Sequence, residues 1–85
     1  MDTTTAFGKV VAIIKPFVKN QPALDAAGDG TRIIEDLGVN SARLVDIILA
    51  FEDEFGIEVD DDSADKVRTL GDAVQMILQK TAPAH

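Results

Sequence analysis

SARLVDIILAFEDEFG, residues 41–56, is the stretch whose periodicity decides the fold. At 100° per residue, Leu44, Ile48, Phe51 and Phe55 fall on one narrow stripe with Ile47 at its edge. Arg43, Asp46, Ala50, Asp53 and Glu54 take the far side. A half-buried strand would alternate at every second residue, and this run does not. The spacing predicts a helix over 42–55, ended by Gly56 as the left-handed residue after its last turn. Val45 and Leu49 belong to neither face. They stack at i, i+4, rotated about 100–140° from the stripe. Either another helix covers them, or they form a small apolar patch inside an acidic rim, the composition of a transient partner site.

The same spacing recurs on both sides of this helix. Phe7, Val10, Val11, Ile14, Phe17 and Val18 predict a helix over 6–18, with Thr3, Thr4 and Thr5 as candidate caps and Pro16 weakening its last turn. Residues 20–40, with Pro22, Gly28, Gly30 and Gly38, form a long connection that needs anchoring, which Ile33, Ile34, Leu37 and Val39 can supply. Asp60–Asp65 cap or begin a short helix. Thr69 and Asp72 are spaced as a capping box that opens a last helix over 70–80. The expectation is an all-α fold, a small bundle of three main helices plus one short helix. Residues 1–85 are read as one domain, with 1–4 and 81–85 flexible.

Composition removes several classes of chemistry. No cysteine is present, which excludes disulfides, thiolate metal sites and cysteine nucleophiles. The sole histidine is His85, in the terminal tail. No apolar run is longer than that from Val10 to Ile14, which is too short to cross a bilayer, and MDTTTAF lacks the basic region of a secretory signal. A cytoplasmic protein without membrane insertion is expected. The net charge of −7 is unevenly spread: residues 35–72 hold twelve acids against Arg43, Lys66 and Arg68. One face should carry a negative field, which repels nucleic acid and attracts basic protein surfaces. The bland alternative is a solvated face that only aids solubility.

Ser41 stands where the best helix begins. From its type and place alone it reads as an ordinary N-cap. A hydrolase would need the G-x-S-x-G turn with a histidine, which Ser41 lacks. The acidic run DDDSAD suggests a calcium loop from Asp61, but the sixth position is Lys66 where glycine is needed and the twelfth is Asp72. No metal site is expected.

Over residues 31–77, TRIIEDLGVNSARLVDIILAFEDEFGIEVDDDSADKVRTLGDAVQMI resembles the acyl carrier protein family. An acidic D-L-G, a serine at a helix start, LAFEDEFGIEV, a short acidic helix and TLGDAV occur in order. The resemblance implies the same bundle and places a 4′-phosphopantetheine arm, attached by a holo-carrier-protein synthase from coenzyme A, on Ser41. It implies a carrier, not an enzyme, holding acyl groups as thioesters for fatty acid or related lipid synthesis. Its partners would be that synthase and acyl-transferring and ketoacyl synthase enzymes with basic surfaces, met by a monomer. Glu35, Asp36, Asp46, Glu52, Asp53 and Glu54 would attract them, and Val45 and Leu49 would supply apolar contact. Leu44, Ile48, Phe51 and Phe55 would wall an acyl pocket. A helix N-terminus favours the phosphate that would sit there.

The chain departs from the family beside the serine. The usual D-S-L reads Asn40-Ser41-Ala42, and the next position, usually acidic, is Arg43. Asn40 loses a charge, Ala42 loses apolar bulk and Arg43 reverses a sign, so these three residues are expected to filter partners and to point to a specialised pathway. Other readings are a carrier for polyketide or aminoacyl groups and an unmodified acidic helical module. The lack of a paired glycine before Ser41 argues against a peptide-synthetase carrier.

Overall fold

The computed structural model describes residues 2–81. Three helices of 12 residues each dominate it: α1 (Thr3–Ile14), α3 (Leu44–Phe55) and α5 (Leu70–Thr81). Two of five residues lie between them, α2 (Gln21–Asp25) and α4 (Asp61–Asp65). Among the described residues there is no strand, only one isolated antiparallel bridge between Arg32 and Thr69. The all-α expectation holds, with one short helix more than expected, because Pro22 in the first turn and the Asn20 cap start α2 inside the long connection. Thr3, Thr4 and Thr81, read as parts of flexible ends, belong to helices. Residues 1 and 82–85 lie outside the described residues.

The helix ends obey local chemistry. Asp2 caps α1, its carboxylate accepting the Thr5 N–H at 2.7 Å, so the expected threonine cap gives way to an acid. Pro16 has no N–H to continue the α-helix, and the chain tightens into a 3-10 turn over Lys15–Phe17. Gly56 ends α3 at φ 63. Thr69 and Asp72 form the capping box: Asp72 N–H donates to the threonine hydroxyl and Thr69 N–H to the aspartate, both at 3.1 Å.

Packing explains which residues are core. α1 lies along α5, and α3 packs against both. On α3 the buried line is therefore Ile47, Ile48 and Phe51, with Ile47 and Phe51 fully enclosed. Leu44 and Phe55 are only half-buried, so the core face is rotated toward Ile47 from the stripe drawn on the sequence. Leu44 stands where α3 faces α4, a helix that buries no residue and so covers little. The long connection is anchored by Ile33, Leu37 and Val39, all buried, whereas Ile34 points outward. Two backbone bonds tie it to the start of α5, Ile33 N–H to Arg68 O at 2.9 Å and Leu70 N–H to Thr31 O at 3.0 Å. A third, from Gly71 N–H to Asp29 O at 2.8 Å, requires glycine, since a Cβ there would sit 2.8 Å from the same oxygen.

Candidate functional site

The chain approaches Ser41 through Gly38, at φ 72, and the buried Val39. Asn40 is extended and its side-chain oxygen accepts the Ala42 N–H at 2.9 Å. Its own carbonyl accepts the Arg43 N–H at 2.8 Å, closing a 3-10 turn over Ser41–Arg43 that leads into α3. The cap is therefore Asn40, not Ser41. An asparagine reaches back to a backbone N–H as well as a serine does, and here it stands one residue earlier. The consequence is chemical: Ser41 is exposed and its hydroxyl makes no hydrogen bond to any described residue.

Ser41 stands at the edge of an open groove of about 930 Å³. Leu44, Val45 and Ile48 of α3 form one wall, and Ala64 and Val67 from α4 and the turn after it form the other. Of the four residues expected to wall an acyl pocket, Leu44 and Ile48 line this groove. Phe51 and Phe55 do not: Phe51 is sealed in the core, its ring 6.3 Å from that of Phe55. The opposite wall went unread in the sequence. Val67, isolated among polar residues just before the capping box, was the available signal.

The charges on the Ser41 side of the groove are paired, whereas Asp61 and Asp65 on its opposite side make no ion pair among the described residues. Asp36 holds the Arg32 guanidinium at 3.0 Å and also accepts the Arg32 N–H at 2.9 Å, and these bonds keep its carboxyl below the usual carboxylate range. Glu35 lies 3.4 Å from the same arginine. Asp46 is paired with Arg43 at 3.1 Å. Of the three acids expected to attract partners at this end, Asp46 is offset by Arg43, while Glu35 and Asp36 share Arg32 and keep one charge between them. At the other end of α3, Glu54 faces Lys9 at 3.6 Å and Glu52 accepts the Val59 N–H at 3.0 Å, which holds the turn after the helix. Asp53 is exposed and makes no ion pair among the described residues. It stands about 15 Å along the helix from Arg43, at 1.5 Å per residue.

Val45 and Leu49 are 64% and 56% exposed, so no helix covers them. With Ile34, at 37%, they are the large apolar side chains left in solvent among the described residues. An exposed, unengaged hydroxyl, a groove with apolar walls beside it and an apolar patch on the helix it precedes suit a group hung from the serine and handled by other proteins.

Comparison with known proteins agrees. The family model described as a phosphopantetheine attachment site matches residues 10–77. The acyl carrier protein of Sinorhizobium fredii (strain NBRC 101917 / NGR234) is 42% identical over 71 residues, covering 81% of this chain and 91% of that one. Acyl carrier protein AcpP of Rhizobium meliloti (strain 1021) matches to the same extent, 42% over 71 residues. The solved structure of an acyl carrier protein from Enterococcus faecalis superposes with a TM-score of 0.77 at 32% identity, over 94% of this chain and 99% of that one. The chain belongs to the acyl carrier protein family, whose members bear 4′-phosphopantetheine.

Proposed function

We propose that Ser41 is the attachment residue and that the chain carries acyl groups as thioesters for fatty acid or related lipid synthesis. The observation that carries the assignment is the Ser41 hydroxyl, exposed, without a hydrogen bond to any described residue and at the edge of the groove. Attachment needs an accessible oxygen. Ser41 Oγ attacks the pantetheine-linked phosphorus of coenzyme A, the new Oγ–P bond replaces the pyrophosphate bridge, adenosine 3′,5′-bisphosphate leaves and the synthase takes the hydroxyl proton. The arm then supplies a terminal thiol, which a chain without cysteine does not otherwise possess. Ser63 is a poorer candidate, being half-buried and inside α4, with its N–H held by Asp60.

The groove supports a shelter for the first carbons of a cargo. Covering Leu44, Val45 and Val67 with a medium acyl chain should stabilise the folded form by about 1 kcal/mol. In a domain of this size that raises Tm by about 4–8 °C. Melting of acylated against unacylated holo-protein checks it, and coincident curves would place the cargo in solvent.

The pathway is tested at the partner filter. Loaded wild type and the combined variant Asn40→Asp, Ala42→Leu, Arg43→Asp are compared as donors to a general fatty-acid ketoacyl synthase. An aspartate at position 40 still caps the turn, so the fold tolerates the change. With two acids gained and one base removed, transfer should quicken about three- to ten-fold at low salt, less at high salt. Equal rates would mean that the three residues filter nothing and that a specialised pathway is the wrong reading.

A further inference from the structure

Arg43 is the most exposed member of an ion pair beside the attachment residue, its side chain 65% accessible against 46% for Asp46. One N–H, on Nη1, reaches Asp46 Oδ2 at 3.1 Å, and the rest of its donors face solvent. Any enzyme that works on Ser41 Oγ must cover this turn. A standard interface takes about 800 Å² from each partner, a disc of about 16 Å radius. Arg43, two residues on in a 3-10 turn, rises only about 4 Å from Ser41. Its guanidinium is therefore inside the footprint and its donors lose their water. A desolvated guanidinium needs acceptors, and a planar carboxylate supplies two in the right fork. A lysine or arginine supplies none.

The surrounding charges do not reverse that demand. Glu35 and Asp36 are tied to Arg32, Asp46 is tied to Arg43 itself, and Asn40 and Ala42 are neutral. Acids without an ion pair among the described residues stand apart from Arg43. Asp61 and Asp65 are on α4, across the groove from Leu44 and Val45. Asp53 is about 15 Å away along α3, beyond the screening length of about 8 Å at physiological ionic strength. We propose that the holo-synthase that loads this chain presents an acidic side chain to Arg43, beside an apolar contact with Val45 and Leu49. Basic residues on the same enzyme are left to Asp61 and Asp65 across the groove and to the far end of α3. The inference rests on Ser41 being the attachment residue.

The test is a charge series at one position. Arg43→Lys, Arg43→Gln and Arg43→Glu are compared with wild type as substrates of the holo-synthase from the same organism, with coenzyme A, at low and raised salt. kcat/KM for arm transfer is expected to fall about two-fold with lysine, about three-fold with glutamine and about ten-fold with glutamate. The gaps should narrow as salt rises. A flat series, a rise toward glutamate or a fall that salt leaves unchanged overturns the proposal. End-point intact mass separates the two levels: an arm on wild type with a flat series overturns only the acidic partner, whereas no arm on wild type overturns the attachment and the partner together.

Discussion

Ser41→Ala is expected to receive no phosphopantetheine at all and to melt with wild type. Treated with a holo-synthase and coenzyme A, wild type should gain one arm and the variant none. The Ser41 hydroxyl bonds to no described residue, so its removal should cost within about 0.5 kcal/mol, the range of ordinary surface changes. Asn40→Ala should behave in the opposite way. It removes the acceptor of the Ala42 N–H and should lose about 1 kcal/mol, a Tm fall of about 4–8 °C, while keeping the hydroxyl. Adduct on Ser41→Ala, or equal stability of Asn40→Ala and wild type, would contradict the division of labour between the two residues.

Phe51→Ala should have the largest effect on stability. Its ring is fully enclosed where α3 meets α1 and α5, and removing a buried aromatic side chain typically costs about 3–5 kcal/mol through lost burial and the cavity left behind. Domains of this kind hold about 5–15 kcal/mol in all. A Tm fall of about 12–40 °C is expected, read by thermal melting of the unmodified chain. Leu44→Ala, in the half-buried groove wall, should cost much less. Similar losses for the two would mean that the core face is the stripe drawn on the sequence and not the line through Ile47.

The contrast between Phe51 and Leu44 marks what the sequence made legible. Periodicity named the apolar residues of α3 but could not rank them. Their burial depends on where α1 and α5 lie, which is a property of the whole bundle. The capping box of Thr69 and Asp72 and the left-handed Gly56 were readable because each rests on two or three neighbouring residues. Asp2 and Asn40 took the caps assigned to Thr3–Thr5 and Ser41, since several polar residues in a row can cap and only the backbone path selects one. The serine's place was legible, but its freedom was not.

Charge was the part least visible in sequence. Counting acids over residues 35–72 suggested one face with a negative field, weakened beside Ser41 by Asn40 and Arg43. Arg32, however, closes on Glu35 and Asp36, and Arg43 on Asp46. A count treats these as separate charges, but through-space pairing cancels much of their field. The groove wall at Ala64 and Val67 was hidden for a related reason: two single apolar residues in an acidic stretch have no period, and only the fold sets them opposite Leu44 and Ile48.

The most direct test of the account is the intact mass and peptide map of the protein purified from its native host. The account predicts the chain plus one phosphopantetheine arm, part of it bearing an acyl group in thioester linkage, with the modified peptide containing Ser41. An unmodified chain, or an arm on any other residue, would contradict it.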